Sequence, residues 1–413
     1  MKKMHKRIET SRRGEWYNEV EQKPIQPPPR TEMSHAYSVK QSEEICKTLN
    51  ALRLGNILSD VYLEHVKTLT HSVFMLGYKG KVVNAEFFSE KHRTTVAHFL
   101  NNGRWDSLNF EKALKRQVID RIYEESRKSG APVFCIVDDT IASHTAPSSQ
   151  AMHPIEAAYY HQSHLKKQQD YGHQAVGVML SCNELSLNYA IVLYDKSHSK
   201  IEIVQDIIQE LPRPPHTAYF LCDSWYASNK LMDAFAQKGF QTIGALRTNR
   251  IIYPNQVKQQ AKQFAPGICK NNPNVSLVTV GKRSYYVYRY QGKMNGHKDA
   301  VVLLSYPEKS FGEAKALRVF ISTHTELTAQ EILNIYAKRW NIEVFFRNCK
   351  QKLAFDKCQL RKKQGITRMW LILSLIHFLC CTVSGCVGSF DEGYNYFRNC
   401  VLQEIFAQNA LSA

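Results

Sequence analysis

Acidic residues follow two short apolar runs in this chain, and their placement suits metal-assisted chemistry on phosphates. Asp138 and Asp139 close the run 132–137 within VFCIVDDT, and Asp223 closes the run 218–222 within FLCDSWY. A short, continuous apolar run without alternation is expected of a strand buried on both faces. A carboxylate at the end of such a strand is costly to desolvate unless it meets a cation or hydrogen-bond donors. Two strand-end acids and a third from a helix would supply the hard oxygen ligands that paired Mg²⁺ ions, ~4 Å apart, require for phosphoryl transfer. Taken singly, each acid reads better as a turn or capping aspartate, because Asp is common after strands.

The third acid stands further along the chain. Thr328-Ala329-Gln330-Glu331 matches a capping box and predicts a long helix from Thr328 to about Leu353. On it Tyr336, Glu343 and Lys350 are spaced by sevens, so at 3.6 residues per turn they share one face, with Arg339 beside them. Such a face is either a solvated stripe with an Arg339–Glu343 pair four residues apart, or one acid aimed at metal ions among three phosphate-binding groups.

The pattern Tyr336-x2-Arg339-x3-Glu343-x6-Lys350 within YAKRWNIEVFFRNCK resembles the YREK signature of one branch of insertion-sequence DDE transposases. VDDT at 137–140 and CDSWY at 222–226 resemble that branch's first and second acidic motifs, in the same order and with the same long gap before the Glu. The resemblance covers residues 130–385 and implies an RNase H-like catalytic domain. It implies that Asp139, Asp223 and Glu343 are the catalytic triad binding two Mg²⁺ ions, which Mn²⁺ can replace. Asp139 is favoured over Asp138 because the branch's acid directly precedes a threonine, here Thr140, and neighbouring strand residues face opposite ways. It further implies that Tyr336, Arg339 and Lys350 grip the DNA backbone. The partners implied are double-stranded DNA, as transposon ends and target, and a second copy of the chain in a synaptic dimer. Water would nick the transposon end, and the freed 3′-OH would attack by in-line displacement.

The elements that must position these residues predict an α/β fold: an RNase H-like mixed five-stranded sheet with flanking helices, interrupted by a β-rich insertion and preceded by a helical domain. Residues 1–41 read as a basic tail containing Pro27-Pro28-Pro29, and 42–127 as a helical DNA-binding domain with a break at Asn101-Asn102-Gly103. That region reads as a helix-turn-helix or as a plain bundle. The first part of the catalytic core spans 128–248. It contains the run 132–137, a hairpin over 174–194 turning at Cys182-Asn183-Glu184, the run 218–222, a helix over 228–237 and a strand over 241–246. The insertion spans 249–316, with strands at 276–280, 285–290 and 300–306. The core resumes over 317–385, beginning with a strand at 317–322, and 386–413 forms a C-terminal segment.

Charge agrees with a polyanionic partner: Lys and Arg number 54 against 37 Asp and Glu, a net +17 over 413 residues. The 11 cysteines contain no CxxC pair, which argues against a disulfide or zinc framework and for reduced, cytoplasmic thiols. The opening residues are too polar for a signal peptide. Met369–Phe390 lacks Asp, Glu, Lys and Arg and is long enough to span a bilayer, but Ser374, His377, Thr382 and Ser384 favour a helix buried in protein, hence no membrane. His161, His164 and His173 lack a fitting zinc partner set and read as a polar loop facing DNA. Tyr285, Tyr286, Tyr288 and Tyr290 read as sheet packing, with base stacking as the alternative. Trp225 and Trp340 read as core. Two rivals share much of this pattern: a nuclease of the same fold without strand transfer, and an inactive transposase-derived DNA-binding protein.

Overall fold

The apolar run at 132–137 opens the middle one of five core strands in a large mixed sheet. The computed structural model describes residues 42–89, 91–150, 154–163 and 168–412, so the expected basic tail and His164 lie outside the described residues. Four helices come first: α1 (Glu43–Ala51), α2 (Asp60–Leu76), α3 (Arg93–Asn102) and α4 (Ser107–Ser129). Next come β1 (Val133–Ser143), β2 (Tyr159–Ser163), β3 (Gln168–Cys182), β4 (Leu185–Tyr194), α5 (Lys200–Gln209), β5 (Ala218–Cys222), α6 (Asn229–Gln237) and β6 (Gln241–Leu246). The following segment carries β7 (Ile251–Ile252), β8 (Gln259–Gln260), α7 (Ala261–Phe264), β9 (Val275–Val280), β10 (Arg283–Met294) and β11 (His297–Pro307). The chain then runs through β12 (Arg318–Ser322), α8 (Ala329–Ala337), α9 (Trp340–Lys352), α10 (Lys363–Thr382) and α11 (Phe390–Ser412).

The five expected core strands are adjacent, in the order β4-β3-β1-β5-β6. β1 pairs antiparallel with β3 and parallel with β5, and β5 pairs parallel with β6. This strand order and the crossovers through α5 and α6 are those of an RNase H-like fold. The sheet does not end there. β12 pairs with β6, β11 with β12 and β10 with β11, giving twelve strands in one sheet among the described residues. The β-rich segment therefore extends the catalytic sheet past its β6 edge, and an otherwise exposed edge is paired.

Two local expectations are corrected. β1 runs on to Ser143, so Asp138 and Asp139 stand inside a strand, opposite Gly177 and Val176 of β3. The apolar run stops at Val137, where pairing with β5 also ends; beyond it the strand continues on backbone pairing with β3. The long helix is also broken. Backbone bonds from Lys338 to Ile335, Arg339 to Tyr336 and Asn341 to Lys338 close turns of three residues, tightening the chain between α8 and α9.

Buried apolar side chains form one cluster from Ile45 in α1 to Val401 in α11. α10 lies at its centre, against β4, α2, α3 and α11. Its mean hydropathy of 1.5 over 18 residues would suit a membrane span by composition, but 89% of that window is buried within the protein. Ser374 donates to Asn188 Oδ1 of β4 at 2.9 Å, and the His377 ring packs on Phe345 and Phe390. The turn between α3 and α4 packs against α10. Arg368 of α10 donates into it, to the carbonyls of Leu100, Gly103 and Trp105.

Candidate active site

Val133–Val137 are wholly buried, which anchors β1 and aims the two acids after it. The last parallel pair of β1 with β5 is Val137 with Cys222, so Asp138 and Asp223 follow it side by side on neighbouring strands. The charge of Asp223 is felt at Asp138. α9 covers this face of the sheet. Gly177, opposite Asp138, has no side chain, and a Cβ there would lie 2.7 Å from Cζ of Phe346 and 3.6 Å from Cδ1 of Ile342. Glycine permits this close approach of α9 to β3 and β1, and so sets how near Glu343 comes to the strand acids.

Arg339 joins the elements. Its guanidinium donates to Oδ2 of Asp138 at 2.7 Å and also to Oε1 of Glu343. Asp138, Arg339 and Glu343 have side chains 20%, 16% and 33% exposed, so the pairs are partly shielded from water. Burial raises the Asp138 carboxyl to about 7; Arg339 opposes the shift and Asp223 reinforces it. Burial works against the Arg339 guanidinium, but Tyr336, Asp138 and Glu343 outweigh it and hold it charged more firmly than usual. Burial pushes the Tyr336 phenol up to about 12, so it is a hydrogen-bond donor at neutral pH. The Tyr336 ring rests on Phe320, with the Arg339 guanidinium 5.9 Å from its centre. Lys350, two turns beyond Glu343, donates to Oγ1 of Thr140 at 2.7 Å. Thr140 and Asp138 are two apart on β1 and share a face.

Asp139 points the other way. Its Oδ1 accepts from Gln174 at 2.8 Å, and its Oδ2 accepts from Lys200 at 2.8 Å and from the Tyr226 hydroxyl at 2.9 Å. Of the pair, Asp138 is the one that Arg339 links to Glu343, while Asp139 is bound to β3, α5 and the turn after β5. Asp223 sits in a turn of its own making: Oδ1 accepts the N–H groups of Trp225 at 2.9 Å and Tyr226 at 3.1 Å. Among the described residues no group of three His, Cys, Asp or Glu side chains closes to metal-holding distance, and Arg339 lies between Asp138 and Glu343.

Sequence reasoning missed Lys200 and Tyr226. Ser199 and Glu202 form a reciprocal capping box, a legible signal for α5, but nothing local shows that Lys200 reaches β1. Trp225 and Trp340, expected in the core, are 42% and 56% exposed. Trp225 carries Lys200 over its ring at 4.7 Å, and Trp340 opens α9 beside Arg339, where the tightened turn points it outward. The insertion tyrosines pack as sheet residues: Tyr286 on Phe311, Tyr288 on Phe264, and Tyr290 donating to the Lys293 carbonyl. His173 is buried and hydrogen-bonded to His144 at 2.8 Å, with burial lowering its pKa to about 4. His161 contacts the Gly172 carbonyl. Beside Tyr336, a cavity of about 800 Å³ is lined by Ser224, Arg247, Tyr285 and Arg318.

A family model described as a transposase DDE domain matches residues 129–379, a span that contains every acid discussed above. No curated protein matches the chain.

Proposed function

Because this chain belongs to the family of transposase DDE domains, we propose that it cleaves the ends of an insertion sequence and joins them to target DNA. Asp138, Asp223 and Glu343 are the acids of this reading. One observation carries it: Arg339 draws Asp138 and Glu343 together on the face where Asp223 stands beside Asp138. The following threonine favours Asp139, but the placement of the Glu343 helix favours Asp138, and Asp139 takes a supporting role.

The donor set fits a divalent metal in chemistry: Asp138 and Glu343 are hard carboxylates that share the Arg339 guanidinium, and the charge of Asp223 is felt at Asp138. When bound there, two Mg²⁺ ions, or Mn²⁺ in their place, would activate the attacking oxygen and stabilise the leaving one. The protein's own residues do the rest. Arg339 matches phosphate as well as carboxylate, so the group that holds the acids together is also placed to pass to the DNA backbone. Lys350 and the protonated Tyr336 flank it on α9 and α8 and offer further donors to the same strand. The net +17 supplies long-range attraction to double-stranded transposon ends and target DNA. Two copies acting on two ends, in the cytoplasm, complete the reading.

The test is a set of isosteric variants assayed for divalent-metal-dependent nicking of end DNA. Asp138→Asn, Asp223→Asn and Glu343→Gln should each lose cleavage while still binding DNA. Near-normal nicking by any one of them removes that residue from the triad.

A further inference from the structure

Resting on the reading of Asp138 as the first acid, the geometry points to Asp139, Lys200 and Tyr226 as a latch that positions Asp223. Both oxygens of the Asp139 carboxylate are engaged by side-chain donors from three other places: Gln174 on β3, Lys200 at the start of α5, and Tyr226 in the turn after β5. A carboxylate engaged in this way is held as a structural tie. Tyr226 is the shared member. Its backbone N–H donates to Oδ1 of Asp223 at 3.1 Å, while its hydroxyl donates to Oδ2 of Asp139 at 2.9 Å.

The turn carrying Asp223 follows a strand that ends at Cys222 and has two further internal bonds, from Ala227 N–H to the Asp223 carbonyl and from Ser228 N–H to the Tyr226 carbonyl, while Arg250 donates to the Ala227 carbonyl. The Tyr226 hydroxyl is thus what ties this turn across to β1. The tie is shielded: Tyr226 is 1% exposed, and the Lys200 side chain is 12% exposed beneath the Trp225 ring. It crosses the sheet from the Asp139 face to the turn that presents Asp223 beside Asp138. A ligand carboxylate is oriented by the group that hydrogen-bonds to it, and loss of such support weakens metal binding even when the ligand is intact. Asp139, Tyr226 and Lys200 are therefore positioning residues.

Tyr226→Phe removes a single oxygen and keeps the ring that packs against Trp225. The first readout is Mn²⁺ binding to the full chain without DNA, by titration calorimetry or by the paramagnetic resonance of free Mn²⁺. The latch predicts affinity about 10-fold weaker in Tyr226→Phe. In cleavage, the metal concentration for half-maximal rate should rise by a similar factor, with most of the rate recovered at saturation. Asp139→Asn, which keeps an acceptor but loses the charge facing Lys200, should behave the same way. Unchanged Mn²⁺ affinity in Tyr226→Phe, with Asp138→Asn inactive, overturns the latch and leaves the Asp138 reading standing. Asp139→Asn that stays inactive at every metal concentration, with Asp138→Asn active, makes Asp139 the ligand and overturns both.

Discussion

Replacing Gly177 by alanine tests whether the approach of α9 to the sheet sets the position of Glu343. The added Cβ would sit 2.7 Å from Cζ and 3.0 Å from Cε1 of Phe346. Carbon atoms in contact prefer roughly 3.5–4.0 Å, so the ring or its helix must retreat by about 1 Å. Phe346 is 6% exposed and packs on Phe345, which is itself held by His377 of α10, so the ring has little room to rotate away. Much of the displacement should pass to α9. Overpacking of this kind costs about 1–3 kcal/mol of stability. Glu343 is one turn before Phe346, and a misplacement of about 1 Å at a catalytic group can cost about 100-fold in rate. Gly177→Ala should therefore lower the melting temperature by a few degrees and cleavage by about two orders of magnitude. Adding Phe346→Leu, which removes the clashing ring edge, should restore part of both. Wild-type cleavage by the single variant would show that the packing of α9 on Gly177 does not govern the site.

Arg339→Ala and Lys350→Ala should each weaken binding to end DNA and reduce the slope of log affinity against log salt by about one, measured by fluorescence anisotropy across a salt series. Unchanged slopes in both would mean the side chains touch no phosphate. Asp138 gives a pH dependence without metal. Its carboxyl titrates near 7 when folded and near 4 when unfolded, so between those values the unfolded chain has lost a proton that the folded protein keeps. Stability from this group is thus greatest at low pH and falls as pH rises through that window. The melting temperature of Asp138→Asn relative to wild type should become more positive from about pH 4 to 8, and a flat or falling difference refutes the shift.

The core strands were legible because buried parallel strands leave continuous apolar runs: those ending at Val137 and Cys222 became β1 and β5, and the run at 241–246 became β6. The capping box at Thr328 marked the start of α8 with both reciprocal bonds in place. The helix break at Lys338 and Arg339 was not legible, since neither residue disfavours helix and the tightened turn is a tertiary choice. The same holds at the acids. Alternation says that Asp138 and Asp139 diverge, but which one meets Glu343 depends on the face that α9 covers, and that is decided by long-range contacts such as Phe346 on Gly177. β2 escaped notice because Tyr159–Ser163 mixes aromatic and polar residues and pairs with β3 alone. Lys200 and Tyr226 were missed for a related reason: their common partner, Asp139, lies 61 and 87 residues away.

The proposed activity is both cutting and joining of DNA. Its most direct test incubates the purified full chain with Mg²⁺, DNA carrying the sequences that flank its gene, and a target plasmid, and sequences the products. Transposon 3′ ends covalently joined to target DNA are the expected product, with no such product from Glu343→Gln. Cleaved ends that never join would reduce the protein to a nuclease, and joined product from Glu343→Gln would contradict the active site described here.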